Sequence, residues 1–114
     1  MILYDDFKKI ELKTAKIISA GKVEDSEKLV RLEIDCGDKD ESGAPSNRQI
    51  VAGIGLKYQP ENLAGKTIIV VANLEPRKLV GLESRGMLLA ASDEMGSPVL
   101  LTVMEDVAPG SEIR

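Results

Sequence analysis

A chain of 114 residues, 43% hydrophobic and 30% charged, has material for one core and not for two, which leaves little room for catalytic elaboration. With no histidine and one cysteine, it excludes an intramolecular disulfide and lacks both the commonest metal ligand and the usual general base. The net charge of -4 excludes a uniformly basic surface of the kind many nucleic-acid binders carry.

Near the N-terminus, Asp5 or Asp6 is suited to cap a short helical turn through Ile10, with Phe7 and Ile10 facing inward three residues apart. Residues 12–23 are rich in Ile, Val and Thr and predict a long first strand, wetted on one face by Lys13, Lys16 and Lys22. Residues 24–28 form a polar turn. In residues 29–36, Val30, Leu32, Ile34 and Cys36 alternate with Arg31, Glu33 and Asp35, which predicts a second strand with one core face and one solvent face. Cys36 then reads as a small buried residue and not as a reactive thiol. Residues 37–47 are polar apart from Ala44 and predict a mobile loop, too polar to pack.

Residues 48–54 predict a third strand running into Gly53 and Gly55, where a bend or close backbone approach is expected. Pro60 and Gly65 suit the first position and the exit of a short helix. Residues 67–74 make a fourth, buried strand. Pro76 lacks the backbone donor that a central strand needs, so Arg77 and Lys78 are expected on an exposed turn. Residues 87–92 predict a fifth strand, and 99–104 with the tail to 114 further extended structure. The run 98–104 is too apolar for a solvated extension and must pack on its own barrel or on a second copy.

Three motif-like stretches carry no chemistry. Gly53-Ile54-Gly55 has tyrosine where a dinucleotide loop needs its third glycine, and no full-length helix follows. Gly81-Leu82-Glu83-Ser84-Arg85-Gly86 is one residue too long for a nucleophile elbow, and no histidine exists to activate Ser84. Asp38-Lys39-Asp40-Glu41 lacks the glycine and closing glutamate of a calcium loop. No apolar run approaches the ~20 residues that span a bilayer, and the first four residues lead straight into Asp5-Asp6, so no anchor or signal segment and a cytoplasmic location are expected.

Charge is unevenly distributed. Residues 48–87 carry six basic and three acidic groups, whereas the segments on either side are net acidic. Screening at physiological salt limits the reach of charge to about 8 Å, so this local excess matters more than the total. Arg77, Lys78 and Arg85 are either a solvated surface or phosphate contacts, and residue chemistry alone leaves both open.

An ordered series of motifs tips that balance. Asp6-Phe7-Lys8-Lys9, Ala15-Lys16-Ile17, Lys28-Leu29, Arg48-Gln49-Ile50-Val51-Ala52-Gly53-Ile54, Leu63-Ala64-Gly65-Lys66, Asn73-Leu74-Glu75-Pro76-Arg77-Lys78-Leu79 and Ser84-Arg85-Gly86-Met87 span nearly the whole chain. Together they resemble the tRNA-binding domain of methionyl-tRNA synthetases and of free-standing dimeric tRNA-binding proteins. The resemblance implies an all-β OB-fold, a five-stranded Greek-key barrel with short helices, spanning residues 1–114 as one domain. It implies residues 93–114 as a C-terminal extension used for homodimerisation.

It further implies tRNA as partner, no catalytic activity, no cofactor or metal, and a methionyl-tRNA synthetase catalytic subunit as a further partner. Lys28, Ser84 and Met87 match the family's tRNA-contacting positions. Asn73, Arg77, Lys78 and Arg85 are added from their chemistry and proximity in sequence. Glu24-Asp25-Ser26-Glu27 departs from the family pattern and sets acidic groups beside Lys28. With one Phe, two Tyr and no Trp, stacking platforms for unpaired bases are few, which favours recognition of folded tRNA through its backbone. Because relatives of this fold include a secretion-associated chaperone, a homodimeric peptide-binding protein is the alternative.

Overall fold

The computed structural model describes Met1–Arg114. A short helix α1 (Tyr4–Phe7) precedes ten strands: β1 (Leu12–Lys22), β2 (Val30–Asp35), β3 (Arg48–Ala52), β4 (Thr67–Val71), β5 (Arg77–Leu79), β6 (Leu82–Ser84), β7 (Met87–Leu88), β8 (Ala90–Ser92), β9 (Pro98–Leu100) and β10 (Glu112–Ile113). A single 3-10 turn at Pro60–Asn62 lies between β3 and β4, with the proline at its start as the sequence predicts. No helix is long and apolar enough to cross a membrane.

The strands run β3-β2-β1-β4-β7 in one sheet, with β10 also paired to β1. Every pairing is antiparallel. β1 is long enough to serve two neighbours: its first half pairs β4 and its second half pairs β2. A register shift between Ile17 and Ser19 bends it there. The sheet curls until β3 meets the segment around β6 and β7. Arg85 N–H donates to the Gln49 carbonyl at 2.9 Å, Gln49 Nε2 to the Glu83 carbonyl at 2.9 Å, and Val51 N–H to the Ser84 hydroxyl at 2.9 Å. The result is an OB-fold-like barrel of five principal strands, sealed at one seam largely by side chains.

The interior is aliphatic. Ala15, Ile17, Val30, Leu32, Ile34, Cys36, Ile50, Ala52, Ile54, Leu63, Ile68 and Val70 form one buried cluster, and each large member contributes about 1.5–3 kcal/mol by leaving water. β2 shows the predicted alternation, with Val30, Leu32 and Ile34 buried and Arg31, Glu33 and Asp35 half-buried. Cys36 follows them into the core, and burial raises its thiol pKa.

Several local expectations are corrected. The first helix ends at Phe7, and Ile10 is exposed and not inward. Asp6 acts inside the first turn, where its carboxylate accepts the Leu3 N–H at 3.2 Å, and is not the capping residue. The fourth strand stops at Val71 and not at Leu74, with the Ala72 N–H donating to the Glu11 carbonyl one step beyond the Leu12–Val71 pair. Arg77 and Lys78 lie in a β-hairpin strand and not in a turn: β5 pairs β6 through the two-residue turn Val80-Gly81, both with positive φ.

Residues 37–47 are exposed apart from the half-buried Asp38 and Ser46, as their polarity predicts, but the loop is hydrogen-bonded within itself. Asp40 Oδ1 accepts N–H groups from Ser42 and Ala44 and the Ser42 hydroxyl, and Lys39 bridges Pro45. Short acidic side chains organise this loop by replacing the backbone partners it lacks.

The predicted fifth strand changes partners at Leu89. β7 pairs β4, whereas β8 pairs β9 in a hairpin closed by Asp93, whose carboxylate accepts the Met95 and Ser97 N–H groups. The tail then crosses its own barrel: the Thr102 hydroxyl donates to the Thr67 carbonyl at 2.7 Å. Farther on, the buried Thr14 hydroxyl donates to the Ala108 carbonyl at 2.9 Å and accepts the Ser111 N–H at 3.0 Å. Val99, Leu101, Met104 and Val107 nevertheless remain exposed.

Candidate nucleic-acid interface

The barrel wall between β3 and the β5–β6 hairpin carries an open groove of about 460 Å³. Its floor is apolar, with Leu29, Val51, Ala52 and Leu88, and Lys28, Arg77, Leu79 and Met87 also line it. Lys28 comes from the β1–β2 turn, Arg77 from β5 and Met87 from β7, so residues of three separate elements converge on one concavity. Lys28, Arg77, Lys78, Arg85 and Met87 are all exposed, and none of the four cations is in an ion pair. No aromatic side chain lines the groove. It can therefore supply point charges, planar guanidinium donors and an adaptable thioether, but no stacking platform.

The remaining predicted residues have other surroundings. Ser84 is buried at 2% exposure. Its hydroxyl accepts the Val51 N–H and donates to the Gly86 carbonyl at 3.1 Å, which commits it to the seam beneath Arg85 and Met87. Asn73 is also committed within the protein. Its Oδ1 accepts the Glu11 N–H at 2.9 Å and its Nδ2 donates to the Lys9 carbonyl at 2.7 Å, tying the end of β4 to the segment after α1. Lys78 pairs in register with Glu83 across the hairpin.

Sequence reasoning placed Arg48 in a strand and missed its part in the site. Its Nε and Nη2 donate to the two oxygens of Asp38 at 2.6 and 2.8 Å. Its Nη1 donates to the Ala72 carbonyl at 2.8 Å and the Arg85 carbonyl at 3.0 Å. One guanidinium thus holds the β2–β3 loop, the end of β4 and the turn before Met87 together. The hydrogen bonds from Arg48 hold the Asp38 carboxyl below its ordinary pKa, and the same bonds raise that of Arg48. Gly86 completes this turn at φ 135, where a Cβ would come within 3.1 Å of the Val71 carbonyl. The available signal was Arg48 itself, a charge opening a short strand that ends in Ile50, Val51 and Ala52.

A nearly closed five-stranded barrel with a cation-rimmed groove on its wall is the architecture of oligonucleotide-binding folds. The chain belongs to the putative tRNA-binding domain family, whose model matches residues 12–112. It is 50% identical over 112 residues to a methionine–tRNA ligase of Caldanaerobacter subterraneus, covering 98% of this chain and 16% of that protein. It is likewise 50% identical over 113 residues to the ligase of Thermotoga maritima, with the same coverage. The chain therefore spans about one sixth of the length of these relatives.

Among solved structures, a methionyl-tRNA synthetase-related protein from Pyrococcus horikoshii superposes with a TM-score of 0.86 at 38% identity, over all of both chains. The chaperone CsaA from Bacillus anthracis superposes with a TM-score of 0.85 at 31% identity, over 100% of this chain and 99% of that one.

Proposed function

We propose that this domain binds folded tRNA as an appended domain or auxiliary subunit of methionyl-tRNA synthetase, acting in the cytoplasm without catalysis of its own. The observation that carries the reading is the convergence of Lys28, Arg77 and Met87 on one groove, with Lys78 and Arg85 exposed on the neighbouring hairpin and turn. Phosphates supply most of the binding energy in such an interface, and the cations fix its register on the RNA. Arg77, with its planar fork, and Lys28, Lys78 and Arg85 contact phosphate oxygens. Met87 supplies an apolar contact at the groove edge. Ser84 and Asn73 act through position: Ser84 sets the turn that presents Arg85 and Met87, and Asn73 anchors the strand end before the hairpin. The lack of aromatic side chains in the groove supports recognition of the folded backbone over single-stranded bases.

Residues 93–114 mediate homodimerisation in this reading, since the tail keeps Leu101 and Val107 exposed after docking on its own barrel. A dimer sets two grooves in fixed relation.

The apolar floor also suits an extended peptide, and the likeness to a protein described as a chaperone gives this second reading a basis. Binding of folded tRNA, unstructured RNA and an unfolded peptide measured side by side separates the two. Preference for folded tRNA is expected; preference for the peptide with indifference to salt would replace this reading by the second.

A further inference from the structure

The Gly53-Ile54-Gly55 run, which makes no dinucleotide loop, lies against the turn that carries Lys28. Gly55 fixes the backbone of that turn. Its N–H donates to the Lys28 carbonyl at 2.7 Å, and a Cβ on it would come within 2.5 Å of the Glu27 carbonyl oxygen and 2.9 Å of that of Lys28. Ser26 secures the other side by accepting the Leu29 N–H at 3.0 Å.

Gly53 has a different part. It is not among the residues with positive φ, so its backbone does not call for glycine. The three atoms nearest to a Cβ built on it all belong to the Lys28 side chain, Cε at 3.0 Å, Cγ at 3.7 Å and Cδ at 3.8 Å. The bare backbone at the β3 exit is therefore a track for the lysine stem. Lys28 stands beside Glu24, Asp25 and Glu27 in sequence yet pairs with none of them, and lines the groove instead.

We propose that Gly53 is a positioning residue for RNA binding: it holds the Lys28 stem flat, so that the ammonium meets a phosphate at the groove and not the carboxylates of its own turn. A stem already laid against the Gly53 backbone gives up less rotamer freedom on binding, which is the physical advantage of the seat. The inference rests on the reading of the groove as a tRNA site.

The seat is tested first in the free protein, where nuclear Overhauser contacts between Lys28 ε-protons and Gly53 α-protons are expected. Their absence would overturn it. Binding of folded tRNA is then measured for the parent, Lys28→Met, Gly53→Val and the double variant. Each single change is expected to weaken binding roughly three- to tenfold and to lower the salt slope by about 0.7–0.9, the signature of one lost phosphate contact. The double variant should bind no more weakly than Lys28→Met, with thermal unfolding close to parental throughout.

Additive losses, or parental binding by Gly53→Val, would overturn the seat and leave the tRNA reading intact. Parental binding by Lys28→Met would remove the lysine from the interface and the seat with it. A parent that binds no tRNA would overturn both.

Discussion

The Ser84 hydroxyl accepts the Val51 N–H at 2.9 Å across the seam where the barrel closes. A serine side chain here does the work of a backbone ladder, and its own proton goes to the Gly86 carbonyl. Ser84→Ala leaves a buried donor and a carbonyl unpartnered, so a loss of about 1–3 kcal/mol is expected. Urea unfolding checks it, and an unchanged midpoint would show that the seam closes without the hydroxyl.

The Asp38–Arg48 fork gives stability a dependence on pH. The folded-state pKa of Asp38 is lowered, chiefly by the hydrogen bonds from Arg48. Its contribution is present above the unfolded value of about 3.9 and is lost as pH falls through the lower folded value. Asp38→Asn should therefore destabilise the protein at pH 7, by about 1–3 kcal/mol, and flatten the loss of stability in acid. Unfolding at pH 7 and pH 3 for both proteins measures this, and parallel pH curves would contradict it.

The core face of β2 is the most sensitive surface of the chain. Val30 and Ile34 are fully enclosed, and a carboxylate placed at either would have no partner, costing roughly 3 kcal/mol or more. Val30→Asp or Ile34→Asp should abolish the cooperative melt or lower it sharply. A parental melting temperature would contradict the assignment of faces.

Leu101 is 39% exposed while its N–H is bonded to the Leu89 carbonyl, so its side chain can change with little effect on its own barrel. Leu101→Glu with Val107→Glu, both exposed, should convert a homodimer into a folded monomer that binds tRNA more weakly. Light scattering at micromolar concentration reads the mass. A monomeric parent would contradict dimerisation through the tail.

Elements whose burial pattern is strictly local were legible in the sequence. β2 announces itself through Val30, Leu32, Ile34 and Cys36, because alternation has one physical cause. The β5–β6 hairpin was hidden, since its turn gives a positive φ to Val80, a β-branched residue that disfavours it. The order in residues 37–47 was hidden for another reason: it depends on Asp38 reaching Arg48 and on Asp40 folding back on its own loop.

Within the site, the family resemblance pointed to Lys28 and Met87, and residue chemistry to Arg77. They could not separate residues facing the groove from Ser84 and Asn73, whose polar atoms are used inside the protein, because that distinction is made by three-dimensional partners alone.

The central claim is that exposed cations at the groove bind tRNA phosphates. Its most direct test is the salt dependence of tRNA affinity for the parent and for Arg77→Glu with Lys78→Glu. Each neutralised phosphate adds about -0.7 to -0.9 to the slope of log K against log salt. The parent should therefore show a steep slope. The double variant should bind all tRNAs more weakly and alike, with a shallower slope and nearly unchanged thermal unfolding. A flat parental slope, or equal binding by the folded variant, would contradict the account.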